Sequence, residues 1–155
     1  MGHSRIFQVS SEPISKEEYI GSYSYDYDHW FIVDIADYVS DECDRSEDIE
    51  KLKHHIRGGQ FGADDDGEYF IVISKEQYFE GKFEYFKNAL DRLKECTLKD
   101  FVEGCPNIYL LQSLYNDKFH YYIEYDGDMM TIDTFIRCCT LNKKYYIGGT
   151  VDYHY

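Results

Sequence analysis

The sequence predicts an α+β fold with a largely antiparallel sheet, a long helix over about 74–96 and two or three shorter helices. Three observations lead there. Phe79, Phe83, Phe86, Leu90 and Leu93 step by four, three, four and three residues, one continuous apolar stripe of helical period. Asp126-Gly127 separates two alternating apolar runs, the signal for a type I′ hairpin. Helical and strand patterns follow one another without the regular alternation that builds a parallel sheet. With 155 residues, 43% hydrophobic and 18% aromatic, the chain can bury a core without disulfide or metal support. Residues 1–155 therefore read as a single globular domain with an acidic N-terminal half.

Taken in order, Arg5–Ser10 carries Ile6, Phe7 and Val9 and reads as an opening strand closed by Glu12-Pro13. Ser15 and Glu18 have capping-box spacing, so a short helix runs to about Ile20. Tyr23–Asp28 alternates tyrosine and aspartate strictly and is either an extended strand or a tyrosine-rich loop. Phe31, Ile32, Ile35, Ala36 and Val39 share a helical face, which predicts a helix from His29 with Asp28 as its N-cap. A second helix starts at Asp44 or Ser46 and runs to about Arg57, with Ile49, Leu52, Lys53 and Ile56 inward and Gly58-Gly59 as its stop.

Gln60–Gly67 reads as a loop, and the apolar run Glu68–Ile73 as a strand inside a sheet. Ser74 caps the long helix, Thr97–Glu103 is a short one ended by Gly104, and Ile108–Tyr115 and Phe119–Tyr125 are strands. Asp128–Ile132 pairs back across the hairpin, Asp133–Thr140 is a short helix, and Lys143–Tyr153 forms a closing hairpin turning at Gly148-Gly149.

Charge is the dominant functional signal. The chain carries a formal −14, and Glu17–Glu50 alone holds twelve carboxylates against one cation, Arg45. Residues 1–80 hold nineteen acids and seven bases, whereas the second half is nearly balanced. Such a chain is repelled by phosphate and by anionic membranes and attracted to basic surfaces, so no direct nucleic-acid or membrane binding is expected. There is no run of eighteen apolar residues and no signal-peptide pattern at Met1–Gln8. The five irregularly spaced cysteines suit reduced thiols, and a cytoplasmic location is expected.

The candidate partner-binding residues follow from that charge. On a helix spanning 29–57, Asp34, Asp37, Asp41, Asp44 and Asp48 step by three and four and would line one side, with a spacing of about 5 Å at ~1.5 Å rise per residue. Asp26, Asp28 and Glu42 extend this face, Tyr23, Tyr25 and Tyr27 interleave with it, and Asp64, Asp65 and Asp66 add a second acidic cluster. Carboxylates pair with arginine and tyrosine rings stack on it, so the set suits a basic partner. The alternative for the carboxylates is a solvated helix face, and for the odd-numbered tyrosines a place in the core.

Metal and catalytic signatures are missing. Asp64–Glu68 lacks the alternating spacing of a calcium loop. His54 and His55 diverge on a helix, and His3, His29, His120 and His154 stand alone in the sequence. There is no nucleophile elbow, phosphate loop or dinucleotide fingerprint. No cofactor and no catalytic residue are assigned. In size and charge the chain is similar to the small acidic proteins that inhibit restriction or CRISPR nucleases by imitating DNA. What that implies is an inhibitor or regulator that occupies the nucleic-acid site of a basic protein. An adaptor or antitoxin-like partner that imitates nothing, and a small enzyme, are the other two readings.

Overall fold

The computed structural model describes residues 2–104, 109 and 118–155. Seven strands form one sheet: β1 (His3–Ser10), β2 (Tyr38–Ser40), β3 (Gly59–Asp64), β4 (Gly67–Val72), β5 (Tyr122–Tyr125), β6 (Asp128–Thr131) and β7 (Lys144–His154). Their order is β3-β4-β7-β1-β5-β6, with β2 paired to the C-terminal end of β7. β1 and β5 run parallel; every other pair is antiparallel. Five helices accompany the sheet among the described residues: α1 (Trp30–Asp34), α2 (Arg45–His55), α3 (Lys75–Lys94), α4 (Leu98–Val102) and α5 (Ile132–Cys138). The mixed α+β fold and the long helix agree with the sequence reading.

Both faces of the sheet are covered. On one, Ile49, Leu52 and Ile56 at α2, Tyr78 of α3 and Ile132, Phe135 and Ile136 of α5 pack on Phe7, Val9, Phe70, Val72, Ile123, Tyr145 and Ile147. On the other, Tyr25, Phe31 and Ala36 pack on Ile6, Tyr122, Val151 and Tyr153. Neighbouring Ile6 and Phe7 are both fully buried because each points into a different core.

β7 corrects the largest error of the sequence reading. In place of a hairpin over Lys143–Tyr153, Lys144–His154 is one strand, and Gly148-Gly149 is no turn, since neither glycine has the positive φ that a tight hairpin needs. Val9 pairs with Ile147 and Phe7 with Thr150, so β7 spends three residues where β1 spends two. This bulge reverses the alternation. Thr150, Asp152 and His154 consequently face the α2 side, while Val151 and Tyr153 face the other core.

The glycines serve a close crossing. Gln8 Oε1 accepts from Ile20 N at 3.0 Å and from Gly149 N at 2.9 Å, tying the 15–25 segment down onto the strand.

Two further expectations change and one alternative is decided. The helix expected over 29–39 stops at Asp34, with His29 rather than Asp28 as its N-cap, and the chain re-enters the sheet as β2. Asp37 N donates to His154 O at 2.8 Å, so capture by the edge of β7 outweighs the helical pattern. Of the two alternatives for Tyr23–Asp28, the loop holds, opened by a 3-10 turn at Ser22–Ser24. Gln60–Gly67 is a strand and turn: β3 pairs along the whole of β4, with Phe61 stacked on Phe70 at 5.6 Å.

The α3 stripe is only partly core. Tyr78 and Phe79 pack on the first cluster, but Phe83 is 56% exposed and Phe86, Leu90 and Leu93 are half-buried. Lys53, expected inward, is exposed. The strand expected at Ile108–Tyr115 lies outside the described residues apart from Tyr109. The Asp126-Gly127 turn is as expected, with φ of 49° and 92°.

A β-carbon at Gly149 would lie 2.4 Å from Ile20 O and 2.9 Å from Ile20 N, both backbone atoms with little freedom to retreat. Gly149→Ala is predicted to destabilise by about 1–3 kcal/mol, read as a lower urea midpoint at unchanged m-value. Gly81→Ala, in α3 with only Arg57 Nη1 at 3.8 Å, is predicted to gain up to about 1 kcal/mol instead.

Candidate functional site

The carboxylates counted as one stripe divide into two groups. Several are structural. Asp41 accepts from Ser22 N at 2.6 Å and from Ser22 Oγ at 2.7 Å, clasping the tyrosine-rich segment. Asp44 caps α2 through Ser46 N at 2.8 Å and Glu47 N at 3.2 Å. Asp48 is fully buried, where Arg5 Nε donates to both its oxygens at 2.9 and 3.0 Å. Asp64 accepts from Lys144 Nζ at 2.7 Å, which holds its carboxyl below the usual range, and it also accepts from Tyr146 at 3.2 Å. Asp48 is therefore beneath the surface, and the even ladder on one helix side is absent because α1 ends at Asp34 and α2 begins only at Arg45.

The second group is exposed. Asp26, Asp28, Asp34, Asp37 and Glu42 surround the segment between β1 and α2, and none meets a cation at salt-bridge distance among the described residues. Asp65 and Asp66 are exposed at the β3–β4 turn, on the far side of β4 from β7. Tyr23 and Tyr27 are 78% and 93% exposed, and Trp30, Val33 and Tyr38 are also exposed. Tyr25, in contrast, is core, and its burial pushes its phenol pKa up.

Tyr23, Tyr25, Asp26, Tyr27, Asp37 and Tyr38 line a concavity of about 280 Å³. Alternation alone cannot separate Tyr25 from Tyr23 and Tyr27. The 3-10 turn at Ser22–Ser24 sets which ring turns inward.

Adjoining this face at Tyr38 lies a polar cluster that the sequence reading missed. Arg5, fixed by Asp48, also donates through Nη1 to Asp152 Oδ1. Asp152 Oδ2 lies 2.8 Å from His154 Nε2 and 3.2 Å from His3 Nδ1. Tyr38 stacks on His154, with ring centroids 3.9 Å apart and 19° between planes. The signal was present as His3-x-Arg5 and Asp152-x-His154, two residues apart on strands that pair. Only the register that sets His3 opposite His154 and Arg5 opposite Asp152 joins them.

A second relay crosses the α2–α3–α5 junction. Tyr78 donates to Asp133 Oδ1 at 2.7 Å, so its oxygen accepts from His55 Nε2 at 3.2 Å. Lys82 Nζ reaches Asp133 Oδ2 at 2.6 Å. Burial raises the Asp133 carboxyl, but the hydrogen bonds from Lys82 and Tyr78 outweigh it and the net shift is downward. Burial, reinforced by the charge of Lys82, lowers His55 to about 4.

The Cys139 thiol is not activated. Cys139 Sγ donates to Ile136 O at 3.3 Å, and burial pushes its pKa up, the opposite of thiolate activation. No helix among the described residues is long and apolar enough to cross a membrane. No family model, curated protein or solved structure matches the chain.

Removing one partner of a buried ion pair leaves a charge uncompensated, at about 3–5 kcal/mol. Asp48→Asn is predicted to fall at the low end, because Asp152 still faces Arg5, and chemical denaturation measures it. His55 binds its proton less readily folded than unfolded, so stability rises with pH between about 4 and the unfolded value of about 6.5. Stability is predicted to fall on acidification through that window, and His55→Asn to flatten the loss in urea midpoints taken between pH 4 and 7.

Proposed function

We propose that the protein acts by binding: its tyrosine–carboxylate face receives basic side chains of a nucleic-acid-binding protein and so inhibits or regulates that partner. The observation that carries this reading is the concavity where Tyr23, Tyr27 and Tyr38 flank Asp26 and Asp37 with no cation among its lining residues. An arginine entering it meets rings to stack on and carboxylates to pair with, two contributions that add where water is partly excluded. The formal charge of −14 would accelerate encounter with a basic surface. Because four of the carboxylates are held by the fold, recognition rests on discrete side-chain pockets rather than on evenly spaced charge imitating a phosphate rod.

An adaptor role at the same face is the second reading, favoured by exposed Trp30 and Val33 one helical turn apart on α1. Apolar contact would then dominate over charge.

The test is capture from a panel of basic nucleic-acid-binding proteins at two salt concentrations. Asp26→Lys with Asp37→Lys leaves the structural Asp41, Asp44 and Asp48 intact and is predicted to weaken capture at least about tenfold, roughly 1.4 kcal/mol. Nucleic acid is predicted to displace the partner, and binding to fall steeply as salt rises. Capture that survives charge reversal but fails in Tyr23→Ala with Tyr27→Ala favours the adaptor. Capture unchanged by both pairs removes this face from the function.

A further inference from the structure

We infer that His3, Asp152 and His154 form a binding site for a divalent transition-metal ion of the zinc type. Their ligand-capable atoms all lie within 4.8 Å of one another, the one such group of three among the described residues. Two strands present them on a single face. In the antiparallel β1–β7 pair His3 stands opposite His154, and Asp152, two residues back on β7, points the same way. Gly2 N donates to Tyr155 O at 2.8 Å and Tyr155 N to Gly2 O at 3.1 Å, so the ladder is closed beyond the histidines and the pair cannot fray apart freely.

The two distances from Asp152 are close to those of a shared ion, and all three ligand atoms lie within 4.8 Å of one another. Ligands with bonds of about 2.0–2.1 Å to one metal sit roughly 2.9–3.4 Å apart at right-angle to tetrahedral geometry. Asp152 Oδ2 is 2.8 Å from His154 Nε2 and 3.2 Å from His3 Nδ1. Two imidazoles and one carboxylate are a donor set that zinc and its neighbours accept, and they leave at least one position for water or another ligand. That position opens outward, because His3 is more than half exposed whereas Asp152 and His154 are buried.

The outer contacts around Asp152 are those of a metal site. Asp152 gives its other oxygen to Arg5, and Arg5 is itself neutralised by Asp48, so the carboxylate is oriented without losing the local negative charge. His154 is wedged between Tyr38 and His3, whose ring centroids lie 3.9 and 3.8 Å away. Its Nδ1 is buried and meets no hydrogen-bond partner. The ring's polar contact runs through Nε2 toward Asp152 and His3. A bound ion would also cross-link the terminal strands at the edge of the tyrosine–carboxylate face through Tyr38, which lines that face and stacks on His154.

The test uses the whole chain, stripped with a chelator and titrated with Zn²⁺ against a chromophoric competitor, with Co²⁺ absorption and the His154 imidazole nitrogen resonances as structural readouts. One ion per chain and displaced His154 resonances are expected. His3→Ala alters an exposed side chain and should leave the fold intact, yet weaken zinc at least about tenfold; Asp152→Asn should weaken zinc as much and also lower the urea midpoint, because Asp152 is a buried partner of Arg5. His54→Ala, at an exposed histidine on α2, should change nothing. If the wild type retains no zinc, or His3→Ala and Asp152→Asn chains retain it with unchanged affinity, the inference is overturned and the cluster is an ion-pair clip of the terminal strands.

Discussion

The structure depends on a single strand that serves two cores. β7 is buried along nearly its whole length and pairs with β1 on one side and with β4 and β2 in succession on the other. The bulge at Gly148-Gly149 decides what each half does. Before it, Tyr145 and Ile147 join the α2 and α5 core. After it, Val151 and Tyr153 fill the opposite core and Asp152 and His154 turn toward Arg5 and His3. Without that change of alternation two polar side chains would enter an apolar core and two apolar ones would meet an ion pair, a mismatch that neither face tolerates. Gln8, bonded to both Gly149 and Ile20, links the bulge to the segment that carries the exposed tyrosines.

The acidic stretch accordingly has two jobs. Asp41, Asp44 and Asp48 spend their oxygens on backbone amides, hydroxyls and Arg5, and they hold the stretch in place. Asp26, Asp28, Asp34, Asp37 and Glu42 remain on the surface, where like charges gain nothing from one another. A buried ion pair is weak evidence of net stabilisation. The Arg5–Asp48 pair is better understood as setting how α2 sits on β1, since no apolar contact there would penalise a displaced helix so strongly.

Much of the local structure was legible because local signals carry it. The Ser74 cap and the Asp126-Gly127 turn each need only residues within four positions and form as read, while the Ser15–Glu18 pair closes a 3-10 turn at Lys16–Glu18 rather than a helix to about Ile20. What escaped was set by partners distant in the chain. Residues 35–40 leave the helical pattern because β7 offers an unpaired edge, and Gly148-Gly149 resembles a turn until Ile20 is seen crossing it. The α3 stripe states that a face is apolar, not how far the core extends beneath it, and so Phe83 stays exposed. Within the candidate site, charge and tyrosine content marked the segment that carries the exposed tyrosines and unpaired carboxylates. They could not distinguish Tyr25 in the core from Tyr27 outside, nor join His3 to His154 across the chain.

We propose that the Tyr23–Glu42 surface, rather than acidity spread over the molecule, recognises basic groups. Titration of isotopically labelled protein with a short arginine-rich peptide, followed by amide and tyrosine-ring resonances, tests it most directly. The account predicts saturable shifts confined to Tyr23, Asp26, Tyr27, Asp37, Tyr38 and their immediate neighbours. Equal shifts at the Asp64–Asp66 turn and along the carboxylates of α3, or no saturation, would contradict it.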